Sequence, residues 1–80
     1  LNFIEVSEDY GILELSAPRS WLGKSLRELD VRKKHQVNII AIRKDGTLSV
    51  APDPNAPLEQ GDQVVALGRG EDINLLHEVR

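Results

Sequence analysis

The sequence predicts an α+β fold: a small, mainly antiparallel sheet carrying two helices, in the order β-α-β-β-β-α. Three observations predict it. Aliphatic, β-prone runs recur at Tyr10–Ala17, Val37–Ile42 and Gln63–Gly68. Asp45-Gly46 separates two β-prone runs, which is the strongest short-range signal for a hairpin. Ser25 is followed three residues later by Glu28, the signature of a capping box at a helix start.

Each element follows from its own residues. "LNFIEV" is apolar at Leu1, Phe3, Ile4 and Val6 and precedes the turn signal "SEDYG". Residues 1–7 are therefore expected to be a connecting segment packed on a neighbour, with the domain proper at 8–80. Tyr10–Ala17 is the first strand, and Pro18 ends it because proline cannot donate to a ladder. "PRSWLGKS" is a loop in which Gly23 can take a positive φ. A short helix is expected from Ser25 to about Lys34. Val37–Ile42 is apolar on both faces, as a buried central strand is. Through Asp45-Gly46, Val37–Arg43 should pair with Thr47–Val50. Pro52, Pro54 and Pro57 make the next stretch a loop with few hydrogen-bond donors. Gly61-Asp62 turns into the strand Gln63–Gly68. Glu71 and Asp72 suit the first turn of a last helix, whose buried face is Ile73, Leu76 and Val79.

The 80 residues make one domain with a thin, aliphatic core. Without cysteine, disulfides and thiolate metal sites are excluded, and a reducing compartment fits. A net charge of −3 argues against broad nucleic-acid binding. No apolar run approaches the roughly 20 residues that span a bilayer. A sheet this small leaves edges, which a dimer would cover.

Most candidate sites have bland readings. His35 and His77 lie on separate elements, and no nucleophile with an activating base can be assembled, so no enzyme is expected. His77 suits the negative end of the last helix dipole. Asp53, Glu59 and Asp62 surround the proline loop, but their spacing is not that of a calcium loop, and no metal is expected. Gly68-Arg69-Gly70 lacks the further glycines and parallel setting of a phosphate loop. Arg32, Lys33 and Lys34 hold the real alternative. They are either a solvated basic helix end that offsets the dipole, or the wall of an anion pocket. In the second case Arg32 is the best anchor, because a guanidinium grips phosphate bidentately. Leu26 and Val31 could then expose apolar surface beside it, with Asn38 as a hydrogen-bonding group and Pro54 as a flat apolar ring.

"WLGKSLRELDVR", "VNIIAIRKDG" and "PLEQGDQVVALG" resemble the C-terminal RCK (TrkA-C) domain of potassium-transport regulators, and the resemblance runs from about Ser7 to Val79. "NFIEVSEDYGILEL" is most similar to the Ktr branch, the cytosolic gating subunits of potassium uptake systems. The resemblance implies a homodimer through this domain, within a larger ring of full-length subunits under a membrane potassium-pore subunit, and a nucleotide-binding N-terminal domain. It implies cyclic di-AMP as a regulatory ligand at the two-fold interface, inhibiting transport, with no other cofactor. Residue by residue, it assigns Arg32, Asn38, Val31, Pro54 and Leu26 to the ligand site. Lys34 stands where the family commonly has a small residue. The expected function is a ligand-sensing, cytoplasmic regulatory domain. The rivals are a ligand-free dimerisation module, and the regulatory domain of an antiporter or dicarboxylate carrier.

Overall fold

The computed structural model describes residues 2–80. Five antiparallel strands form one sheet: β1 (Asn2–Glu5), β2 (Tyr10–Ser16), β3 (Val37–Lys44), β4 (Thr47–Ser49) and β5 (Gln63–Arg69), in the spatial order β1-β2-β5-β3-β4. A 3₁₀ turn (Arg19–Trp21) and two short helices, α1 (Leu26–Leu29) and α2 (Val31–His35), connect β2 to β3. Helix α3 (Gly70–His77) follows β5. The core lies between the helices and one face of the sheet. Leu58, Val64, Ile73 and Leu76 are its most buried large side chains, with Trp21 beside them.

The expected antiparallel sheet and its helices are present, with three differences. The first is β1. Asn2–Glu5 is an edge strand paired with β2, Phe3 opposite Leu13 and Ile4 opposite Ile12. Its close fit depends on Gly11: a Cβ there would come 2.5 Å from Cζ of the Phe3 ring.

The second is the helix expected from Ser25 to Lys34. It starts as expected, with the Glu28 amide donating to Ser25 Oγ and the Ser25 amide donating to Glu28 Oε1. It then breaks at Asp30, which is left-handed (φ 49°). Aspartate tolerates this conformation because its short polar side chain can bond locally. Gln36, also left-handed, closes α2, and its Nε2 donates to the Lys33 carbonyl.

The third is β3, expected to be buried on both faces. Asn38 is exposed and Ile40 is 36% exposed. The register slips between Ile39 and Ala41, a β-bulge with Ile40 as the extra residue. Strict alternation would send Ile39 and Ile42 to opposite faces. The bulge turns both onto the core, where they pack. On the opposite face Arg43 reaches across β5 and donates from Nε to Glu14 Oε2 at 2.7 Å. That hydrogen bond holds the Glu14 carboxyl below its ordinary value.

The hairpin follows its sequence signal. Asp45 and Gly46 both have positive φ (51° and 81°), as a type I′ turn requires. Gly46→Val should therefore lower stability by roughly 1–2 kcal/mol, since a β-branched residue resists that region. Thermal unfolding checks it; an unchanged midpoint would show that the turn can change type without loss.

Candidate functional site

The break at Asp30 sets the geometry around Arg32. In one continuous helix Arg32 would sit near the basic end. Here it is the second residue of α2, directly after Val31. Val31, named as a possible apolar surface, is 4% exposed and packs in the core, and it also lines the cleft beside Arg32. The next residue, Arg32, is exposed.

Asn38 is the second residue of β3, opposite Leu67 of the central strand β5. Its backbone is thus held by the sheet while its side chain is exposed. Leu26 is half-buried at the start of α1. Pro54 comes from the distant proline loop, which is tied to α1: the Arg27 amide donates to the Pro54 carbonyl at 3.0 Å. Bridges between Ser25 and Pro57 and between Leu22 and Leu58 fix the rest of that loop.

These elements bring the five residues named from the sequence, Leu26, Val31, Arg32, Asn38 and Pro54, around one open cleft of about 300 Å³. Arg27, Asp30 and Ile39 also line it. Sequence reasoning missed those three. Asp30 and Arg27 flank named residues in the chain, but only the helix break and the tied loop turn them toward the cleft. Arg32 and Asn38 also border a second cleft of about 430 Å³, lined as well by Val6, Tyr10 and Leu67. The two residues are thus shared by two depressions whose linings mix apolar and polar side chains. A cationic fork and a carboxamide so placed can bind an anionic group bearing planar apolar parts.

The rest of the basic run separates from Arg32. Lys33 and Lys34 are exposed and line neither cleft. The His35 ring packs against Trp21, with centroids 5.8 Å apart, which gives it a structural place. His77 is exposed in the last turn of α3.

The acidic residues are held by the fold. Asp62, buried, accepts from Lys44 Nζ at 2.8 Å and from the Glu59 amide at 2.9 Å. Glu59 accepts from the same ammonium at 2.7 Å. The hydrogen bond to Asp62, reinforced by Glu59, raises the Lys44 pKa. Asp53 Oδ1 accepts from the Asn55 amide within its own loop. Where β5 passes into α3, the Gly70 amide donates to the Asp9 carbonyl and the Arg69 guanidinium lies 5.8 Å from the centre of the Tyr10 ring. Among the described residues no helix is long and apolar enough to cross a membrane.

Comparison with known proteins gives the family. The chain is 37% identical over 73 residues to Ktr system potassium uptake protein A of Bacillus subtilis (strain 168), a match covering 91% of this chain and 33% of that protein. It thus spans about a third of that relative. A solved structure of the RCK C domain of potassium transport protein KtrA, in complex with cyclic diadenosine monophosphate (cyclic di-AMP), superposes with a TM-score of 0.78 at 36% identity, covering 84% of this chain and 79% of that one. An RCK_C domain dimer of Streptococcus agalactiae BusR, also in complex with cyclic di-AMP, gives 0.71 at 31% identity, covering 81% and 88%. The TrkA-C domain matches residues 12–79, and the chain belongs to the TrkA-C domain family.

Proposed function

We propose that this chain is the ligand-sensing regulatory domain of a cytosolic potassium-transporter gating subunit, and that it binds cyclic di-AMP between two copies of itself to inhibit transport. One observation carries the reading. Arg32, Asn38, Pro54, Leu26 and Val31, drawn from three separate stretches of chain, border a single cleft. The similarity to a KtrA domain and a BusR domain dimer, both solved with this ligand, supports it.

The physical fit has two parts. The first is charge. The chain carries a net −3, so an anionic ligand needs a local cation, and among the described residues Arg32 is in no ion pair. The second is size. Small-molecule pockets run from about 300 to 1,000 Å³, so a cleft of about 300 Å³ suits half of a symmetric ligand better than a whole one. A two-fold dimer would present two such clefts, one to each half of a cyclic dinucleotide. Differential affinity for one dimer arrangement would then bias the attached subunits and the membrane pore they serve.

Calorimetry tests it, with light scattering on the same sample. The expected result is saturable binding of one cyclic di-AMP per two chains, by a protein with twice the monomer mass. A dimer without heat would favour a ligand-free dimerisation module. A monomer that binds nothing would overturn both readings.

A further inference from the structure

A third cleft, of about 390 Å³, lies between the β3–β4 hairpin and the proline loop and shares no lining residue with the Arg32 cleft. We infer that it is a second small-molecule site, for an organic monocation that carries its amine on an apolar or aromatic body.

The walls set the apolar part. Ile42, Pro52, Ala56, Pro57 and Leu58 line the cleft, and Leu58 is fully buried. These walls are rigid before any ligand arrives. Leu58 donates its amide to the Lys24 carbonyl and accepts from the Gly23 amide. The Ala56 amide donates to the Asp53 carbonyl, and three prolines stiffen the same loop. A pre-organised wall reduces the ordering cost of binding.

The charges set the polar part. Three carboxylates and one ammonium line the cleft: Asp45, Asp53, Asp62 and Lys44. Lys44 is already held by Asp62 and Glu59. Asp45 and Asp53 are both exposed, and among the described residues neither is in an ion pair. An incoming anion meets uncompensated negative charge, whereas a cation meets an opposite charge beside an apolar surface. Thr47 and Ser49 add hydroxyls from β4. The proline loop is the wall between the two sites, with Pro54 on the Arg32 side and Pro52, Ala56 and Pro57 on this one.

Proton–nitrogen correlation spectra of the ¹⁵N-labelled 80-residue chain provide the test, with benzylamine as the probe and benzyl alcohol and benzoate as its neutral and anionic counterparts. Benzylamine should shift the amides of Thr47, Ser49, Ala56 and Leu58 saturably. Benzyl alcohol should bind the same place more weakly, and benzoate should not bind. Asp53→Asn keeps the oxygen that accepts from Asn55 and should weaken benzylamine about fivefold, the upper range for one partly exposed charge pair. Ala56→Leu fills the cleft and should abolish the shifts, so the test survives if Asp53→Asn misfolds. Arg32→Ala should leave them unchanged, which keeps this result separate from the fate of cyclic di-AMP. No saturable shift, equal shifts with benzoate, or full binding by Ala56→Leu would each overturn the inference.

Discussion

Arg32→Ala should weaken cyclic di-AMP binding by at least about a hundredfold. A charge-assisted hydrogen bond contributes roughly 1.5–3 kcal/mol, and a two-fold complex loses it twice, about 3–6 kcal/mol in all. The domain should stay folded. The Arg32 side chain is exposed and lies in none of the ion pairs of the described residues, and such surface substitutions usually change stability by less than about 0.5 kcal/mol. Two companions give the result its meaning. Lys33→Ala should cost less than about threefold, because Lys33 lies outside both clefts and an exposed charge surrounded by water contributes little. Arg32→Lys keeps the charge and loses the planar fork, so it should fall between the two. Calorimetry on the three variants decides. Equal losses in Arg32→Ala and Lys33→Ala would mean that the basic run acts as a diffuse field. No loss in any of them would move the ligand elsewhere.

Leu76→Ala should be strongly destabilising. Leu76 is fully buried, and through it α3 grips the sheet together with Ile73. Removing a buried leucine side chain costs about 2–5 kcal/mol, depending on how far the site collapses. A domain of 80 residues has a narrow margin, and each kcal/mol moves its midpoint by roughly 4–8 °C. A fall of at least about 8 °C in thermal unfolding is expected. Leu75→Ala, one position along and 64% exposed, should shift it by only a few degrees. Similar shifts for both would mean that α3 is not held by its buried face.

The local signals in the sequence were legible because their physics is local. Ser25 and Glu28 satisfy each other's backbone within one turn, and Asp45-Gly46 needs only its own two dihedrals. The apolar runs gave β2, β3 and β5 for the same reason. The breaks were hidden. An aspartate reads alike inside a helix and at a left-handed stop, so Asp30 gave no warning that α1 would end there. The bulge at Ile40 cannot be seen in "VNIIAI", where every alternation looks equally apolar. β1 looked like a connector because its apolar residues fit either an edge strand or a contact with a neighbour.

The candidate site was legible only in part. Arg32 stood out by chemistry, since one guanidinium among ammonium groups is the natural phosphate anchor. Asn38, Pro54 and Leu26 entered mainly through family resemblance. Their convergence depends on long-range ties that no local pattern carries, such as the hydrogen bond from the Arg27 amide to the Pro54 carbonyl. Val31 shows the limit of the sequence reading. It borders the cleft as named, yet its side chain serves the core. The cleft beneath the hairpin was missed altogether, because its acidic residues read as turn formers one at a time.

The seating of β1 against Gly11 has a consequence for how the domain opens. β1 runs along the edge of the sheet, hydrogen-bonded to β2 alone, and Phe3 and Ile4 remain more than half exposed. Lifting it away exposes little surface that was not already wet. The central ladders of β5, by contrast, come apart only with the whole core. Amide exchange should therefore be layered. The amides bonded between β1 and β2 would be released by a shallow, partial opening, and those between β5 and its neighbours only by full unfolding. The outer strand can peel and re-zip many times within the lifetime of one folded molecule.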